Sequence, residues 1–287
     1  YGMRQKVAIA SAEAIDPEIY VMDEPSANLD IASTYRFADI IRDLKQQGKT
    51  IIIAEHRLYY LMNLADRFLC VQKGKIVREF TAQQMKALSN EEIRVLGLRT
   101  PDLHQIEQAE IPSAATSEVV LEVKKLNHSF GETIVAKDID FQCCKGEVVA
   151  LIGPNGTGKS TIGRILAGLL KEKSGEVVLF GKHCRPKGRL GKVWYIPQDL
   201  DSQLFGEDLL DELTTGAEVN PERKQAAEEI LEALELTPFI KQHPSTLSGG
   251  QKQRLALGVA LMHEAPIIVL DEPTSGLDGT NMRNVSR

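Results

Sequence analysis

Two passages of this 287-residue chain repeat each other at a fixed separation: YVMDEPSANLD at 20–30 and IVLDEPTSGLD at 268–278. The opening YGMRQKVAIA aligns with GGQKQRLALG (249–258), placing Gly2 on Gly250, and the distance from this phrase to the acidic pair is the same in both places. A repeat of this length is a duplicated domain, far longer than a solenoid period. The expected organisation is the back part of a first domain over 1–98, a linker over 99–118, and a second domain over 119–287, so that the chain ends cut through both copies. RTPDLHQIEQAEIPSAATSE (99–118) lacks apolar periodicity and carries Pro, Ala, Ser and acids, which is linker composition.

Within each copy, short apolar runs alternate with helical periods. EVVALIG (147–153), IIVL (267–270), YVM (20–22) and TIIIA (50–54) are expected strands. Ile162, Ile165, Leu166 and Leu169 predict one helix stripe, and Phe37, Ile40, Ile41 and Leu44 another that stops near Gly48. The expected class is α/β with a mostly parallel sheet and ligands at the carboxyl ends of its strands.

GPNGTGKST (153–161) matches G-x-x-x-x-G-K-[ST] between an expected strand and an expected helix. Gly153, Pro154, Asn155, Gly156, Thr157 and Gly158 form a loop whose N–H groups can surround phosphate oxygens, with the helix N-terminus adding positive potential. Lys159 supplies a cation for the β- and γ-phosphates, Ser160 a hydroxyl ligand for Mg²⁺, and Thr161 follows at the helix start. Asp271 ends an apolar run, where its carboxylate can hold Mg²⁺ through water, and Glu272 beside it can polarise an attacking water. Asp23 and Glu24 repeat that pair.

Composition bounds the alternatives. A formal net charge of −6 gives no basic footprint, so direct nucleic-acid binding is not expected. The apolar runs are too short to cross a bilayer. Cys70, Cys143, Cys144 and Cys184 show no metal-ligand spacing and read as small buried residues.

LSGGQKQRLALG (247–258), LDEPTSGLD (270–278) and the P-loop together resemble the nucleotide-binding domain of ATP-binding cassette (ABC) ATPases. The resemblance implies a P-loop NTPase fold in two incomplete copies, with ATP and Mg²⁺ as ligands. It implies that such domains pair head to tail, each ATP lying between the P-loop of one and the Ser-Gly-Gly segment of the other. Ser248, Gly249, Gly250 and Gln251 would then contact the γ-phosphate of a facing domain, as would Gly2 in the first copy. Tyr1 stands where the second copy has Gly249. By the same resemblance, Phe130 would stack on adenine, Gln198 would sense Mg²⁺ and the attacking water, and His56 would contact the γ-phosphate. Asp30 and Asp278 would lie in loops crossing the domain interface. PQDLDSQLFGEDLLDEL (197–213) and LSNEEIRVLGLR (88–99) are similar to cassettes of energy-coupling-factor importers, which take up vitamins and metal ions. That implies a motor subunit at the cytoplasmic face of the membrane, partnered by a transmembrane coupling protein and a substrate-binding membrane subunit. Acidic Glu207, Asp208, Asp211 and Glu212 would either receive a basic helix of that partner or form a solvated face. A ribosome-associated tandem ATPase and a purely regulatory ATP-binding module are the other readings.

Overall fold

The structure, a computed structural model, describes Val7 and residues 11–102, 116–216 and 220–285. Gly2 and Tyr1, and residues 103–115 of the expected linker, lie outside them. Two compact units emerge, one of the residues up to 109 together with 274–287, the other of 110–273. The repeat alone assigned 274–287 to the second copy; in the structure that segment groups with the first unit.

In the first unit, β1 (Ile19–Asp23) pairs in parallel with β2 (Thr50–Ala54), Asp23 opposite Ala54. The connection between them is α1 (Ile31–Gln46), whose first turn is capped by the Asp30 carboxylate accepting from Ser33 N at 2.7 Å. Phe37, Ile41 and Leu44 bury the expected stripe of α1. β3 (Arg67–Gln72) and β4 (Lys75–Thr81) form an antiparallel hairpin. The short helices α2 (Ala82–Lys86) and α3 (Asn90–Val95) each open with a reciprocal capping box, Thr81 with Gln84 and Ser89 with Glu92. Phe37, Ile41, Leu61, Phe68, Phe80 and Ile93 share one core.

The second unit is not the mostly parallel sheet the sequence suggested. β5 (Val119–Phe130) lies between β6 (Thr133–Cys144) and β7 (Ser174–Leu179), with β8 (Lys182–His183) outside β7, and all three pairings are antiparallel. Among the described residues of this unit, only β9 (Val193–Ile196) and β10 (Ile267–Leu270) pair in parallel. The expected strand at 147–153 is absent: no ladder joins it to a neighbour among the described residues, and Val148 and Ile152 are 96% and 90% exposed. A run of apolar residues becomes a strand only where a partner satisfies its backbone. The helix after the P-loop, α4 (Lys159–Leu166), buries Ile162, Ile165 and Leu166. Leu169 lies past its last turn, beyond the reach of the 3.6-residue period, and is exposed.

The antiparallel sheet and α4 enclose Leu126, Ile165 and Val177. A second core joins α6 (Leu209–Thr214), α7 (Pro221–Ala233) and α8 (Gly249–Met262) through Leu213, Leu231 and Leu255; α5 is the short Pro186–Arg189 helix. Among the described residues, no helix is long and apolar enough to cross a membrane.

The acidic group at 207–212 is largely occupied within the fold. Glu212 is buried and accepts from Phe205 N at 2.7 Å and Gly206 N at 2.6 Å. Asp208 caps α6 through Asp211 N, and Asp211 accepts from Glu207 N. Replacing Glu212 by Ala strands two N–H groups, a cost of about 2–4 kcal/mol. Glu212→Ala should therefore lower the denaturation midpoint of the chain, whereas Glu207→Ala should not; equal midpoints for Glu212→Ala and the parent would contradict this role.

Candidate functional site

Parallel pairing carries chemistry because it brings two carboxyl ends side by side. Leu270 of β10 lies opposite Ile196 of β9, so the residues that follow, Asp271-Glu272 and Pro197-Gln198, leave the sheet together. Asp271 N donates to Ile196 O at 3.0 Å, which fixes the exit. Gln198 Nε2 then donates to Glu272 Oε2 at 3.1 Å. Glu272, read from the acidic pair, and Gln198, linked to the attacking water by the resemblance, thus touch directly.

Glu272 has φ 49°, left-handed backbone that a non-glycine residue adopts at a cost of about 1–3 kcal/mol. Glu24, its counterpart, has φ 41°. Two copies that share the same unfavourable backbone at the same residue share a local requirement: the carboxylate must turn off the strand end rather than continue along it.

The P-loop stands at the start of α4. Lys159 Nζ donates to the carbonyls of Gly153 at 2.8 Å and Pro154 at 2.9 Å, and Thr157 Oγ1 donates to Pro154 O at 2.9 Å. The ammonium is therefore folded back over the loop, where phosphate would meet it. Gly158 caps the helix at φ 95°, and a Cβ there would lie 2.6 Å from Val135 O. Ser160 and Thr161, at the helix start, line a cavity of about 440 Å³ with Phe130, Arg164 and Tyr195. Phe130 is 56% exposed at the end of β5, with His128 edge-on to its ring at 4.8 Å. An exposed aromatic face on the same cavity as the P-loop hydroxyls suits a flat base.

Tyr195 was not singled out from the sequence. It is buried at the end of β9, and its hydroxyl donates to Asp271 Oδ2 at 2.7 Å. Burial, reinforced by that carboxylate, pushes the Tyr195 hydroxyl well above its ordinary pKa, so it stays a proton donor. Engaging Oδ2 leaves Oδ1 as the oxygen for a water on a metal ion. The set Ser160, Gln198 and Asp271 is hard and oxygen-rich and fits Mg²⁺, which takes its other ligands from phosphates and water.

In the first unit the same topology recurs with different partners. Asp23 ends β1 beside Ala54 of β2, and Glu24 N donates to Ala54 O at 2.8 Å. His56 Nε2 lies 3.4 Å from Glu24 Oε1. Burial raises the Glu24 carboxyl above the usual carboxylate range, His56 opposing it. Glu55 is the local hub: it accepts from His56 N and Arg57 N through Oε1 and from Tyr60 OH and Ser26 N through Oε2. Nothing in the sequence distinguished it from any acid before a histidine.

Ser248 caps α8, exchanging bonds with Gln251 in a capping box, with Gly249 exposed and Gly250 buried at the first helical positions. This segment makes no described contact with the P-loop or Glu272. Asp30 and Asp278 both serve as helix caps, Asp278 accepting from Asn281 N at 2.7 Å.

Gly158→Ala places a methyl against a carbonyl in a left-handed conformation, and should weaken binding of a fluorescent ATP analogue at this loop by at least about tenfold. Gly188→Ala, where a Cβ meets nothing within 4 Å, should leave that titration unchanged. Equal affinities for the two variants would contradict the geometry.

Residues 136–275 match the ABC transporter family. A protein of Treponema denticola described as an ABC transporter ATP-binding protein is 39% identical over 99% of this chain. The HMP/thiamine import ATP-binding protein YkoD of Bacillus subtilis is 31% identical over 96% of it. The chain spans 59% and 56% of the length of these two relatives. Among solved structures, cbiO1 from Clostridium perfringens, part of the ABC transporter complex cbiONQ, superposes with a TM-score of 0.52 and 29% identity, over 59% of this chain and 70% of that one. A nucleotide-free ATP-binding cassette from an ABC transporter gives 0.50 and 28%, over 58% and 74%. Domains of this family bind ATP with Mg²⁺. Residues 136–275, which match that family, carry a P-loop, an acidic strand end and a glutamine bonded to its glutamate.

Proposed function

We propose that this chain belongs to the ATP-hydrolysing motor of a membrane importer of the energy-coupling-factor type, built from two cassettes in one polypeptide. The observation that carries the hydrolytic part is the Gln198–Glu272 bond at the strand end that also presents Asp271. The similarity to YkoD and to cbiO1 supports an importer. The repeat at 1–98 and 119–287, with its shared left-handed glutamates, supports two cassettes.

The P-loop amides and Lys159 bind and orient the triphosphate. Mg²⁺ held by Ser160, Gln198 and Asp271 would neutralise charge on the phosphates. Tyr195 holds one Asp271 oxygen, so that carboxylate is oriented before the ion arrives. Gln198 holds Glu272 through one oxygen and leaves the other to accept a proton from the attacking water. In the first copy, His56 takes the place beside Glu24. Ser248 to Gln251 present a helix start to a facing cassette, the head-to-tail arrangement in which ATP joins the domains.

A transmembrane coupling protein and a substrate-binding membrane subunit would complete the importer at the cytoplasmic face of the membrane. Capture of the full-length protein in mild detergent should bring a polytopic membrane protein with it; cosedimentation with ribosomes instead would favour the soluble tandem ATPase.

For the chemistry, Glu272→Gln in the full-length protein keeps the hydrogen bond to Gln198 within reach but removes the base. ATP affinity should stay within about twofold while hydrolysis at that site falls by at least about a hundredfold. Turnover equal to the parent would remove Glu272 from the mechanism.

A further inference from the structure

We propose that Arg99 is a positioning residue that seats the 274–278 loop against the Glu24–His56 site. The inference rests on the reading of Glu24 and His56 as hydrolytic residues.

The loops 26–30 and 274–278 are repeats of one another, Ser26 matching Thr274 and Leu29 matching Leu277. Both are gripped by an arginine, through the same pair of carbonyls. Arg57 Nη1 donates to Ser26 O at 3.0 Å and Leu29 O at 2.8 Å, with Nη2 on Ala27 O. Arg99 donates Nη2 to Thr274 O at 2.6 Å and Nε to Leu277 O at 2.7 Å. Yet Arg57 and Arg99 are not repeat counterparts. Arg57 lies within 1–98 and Arg99 is the first residue of the expected linker, so neither clamp comes from 119–287.

The loops also meet at equivalent residues: Ser275 Oγ donates to Ala27 O at 3.2 Å across 248 positions, the repeat offset. On the far side, the loop is pinned to the backbone next to Arg99. Gly279 N donates to Gly97 O at 3.0 Å, and a Cβ on Gly279 would overlap Leu98 O at 1.9 Å. Between these fixed points the loop passes Glu24: a Cβ on Gly276 would sit 3.5 Å from Glu24 Oε2.

A guanidinium is suited to this task, because its rigid fork fixes two acceptors at once, which a lysine ammonium cannot. Its setting is strained in charge. Burial and then the neighbouring Arg57 depress the Arg99 pKa, while Glu55, Glu24 and Asp278 oppose them. Two half-buried cations side by side persist here because loop carbonyls and carboxylates surround them.

The test uses the full-length protein in a Glu272→Gln background, so that turnover reports the Glu24 site. Arg99→Gln should lower kcat by about tenfold with the KM for ATP unchanged, as expected when a catalytic group is misplaced and binding is not. Arg99→Lys, which keeps the charge and is the safer fold, should fall with it. An Ala27→Cys/Ser275→Cys pair, its disulfide identified by peptide mass, reads the loop directly. The cross-link should form with Arg99 present and drop several-fold in both variants. Loss of the cross-link with a lowered kcat supports the inference. An undiminished cross-link, or an unchanged kcat despite its loss, overturns it. If the Arg99-containing protein hydrolyses no ATP, the functional reading falls instead, and the cross-link still reports whether Arg99 seats the loop.

Discussion

The structure turns on how a carboxylate is held at the end of a parallel strand pair. In the proposed reading that carboxylate is a base for water, which must be close to phosphate yet not neutralised by a cation or buried beyond use. Parallel register solves the first requirement, because the neighbouring strand ends at the same level and delivers its own polar residue: Gln198 beside Glu272, His56 beside Glu24. The left-handed backbone at both glutamates solves the second by turning the side chain off the sheet. That conformation costs about 1–3 kcal/mol, so each strand end needs the surrounding bonds to hold it.

Those bonds differ between the copies. Around Glu272 the support is Tyr195, which fixes the adjacent Asp271, and the Asp271 N to Ile196 O bond. Around Glu24 it is Glu55, which gathers two backbone N–H groups of its own turn and the Tyr60 hydroxyl. Removing either support would leave the glutamate in place in sequence but not in space, and a misplacement of about 1 Å can cost a hundredfold in rate.

Much of this was legible in the sequence, and the reason is local. The P-loop and the acidic pairs are short motifs whose geometry follows from adjacent residues, so the string carries the shape. β1, β2, β10 and α1 were likewise readable from periodicity. Tyr195 and Arg99 were not, because they act on residues 76 and 178 positions away, and Glu55 was not, because it joins its own turn to Ser26, 29 positions away. The run at 147–153 misled for the complementary reason: apolar content signals burial, but a strand also requires a partner edge. Among the acids at 207–212 the internal role of Glu212 was not legible, because a charge that collects N–H groups is written with the same letter as one on a solvated face.

The central claim is that both strand-end glutamates are the bases of hydrolysis and neither is needed to bind. Single-turnover measurement on the full-length protein carrying Glu24→Gln and Glu272→Gln together tests it most directly. The account predicts that Mg·ATP is retained uncleaved over a period in which the parent converts it to ADP. Conversion at the parent's rate by the double variant would contradict it.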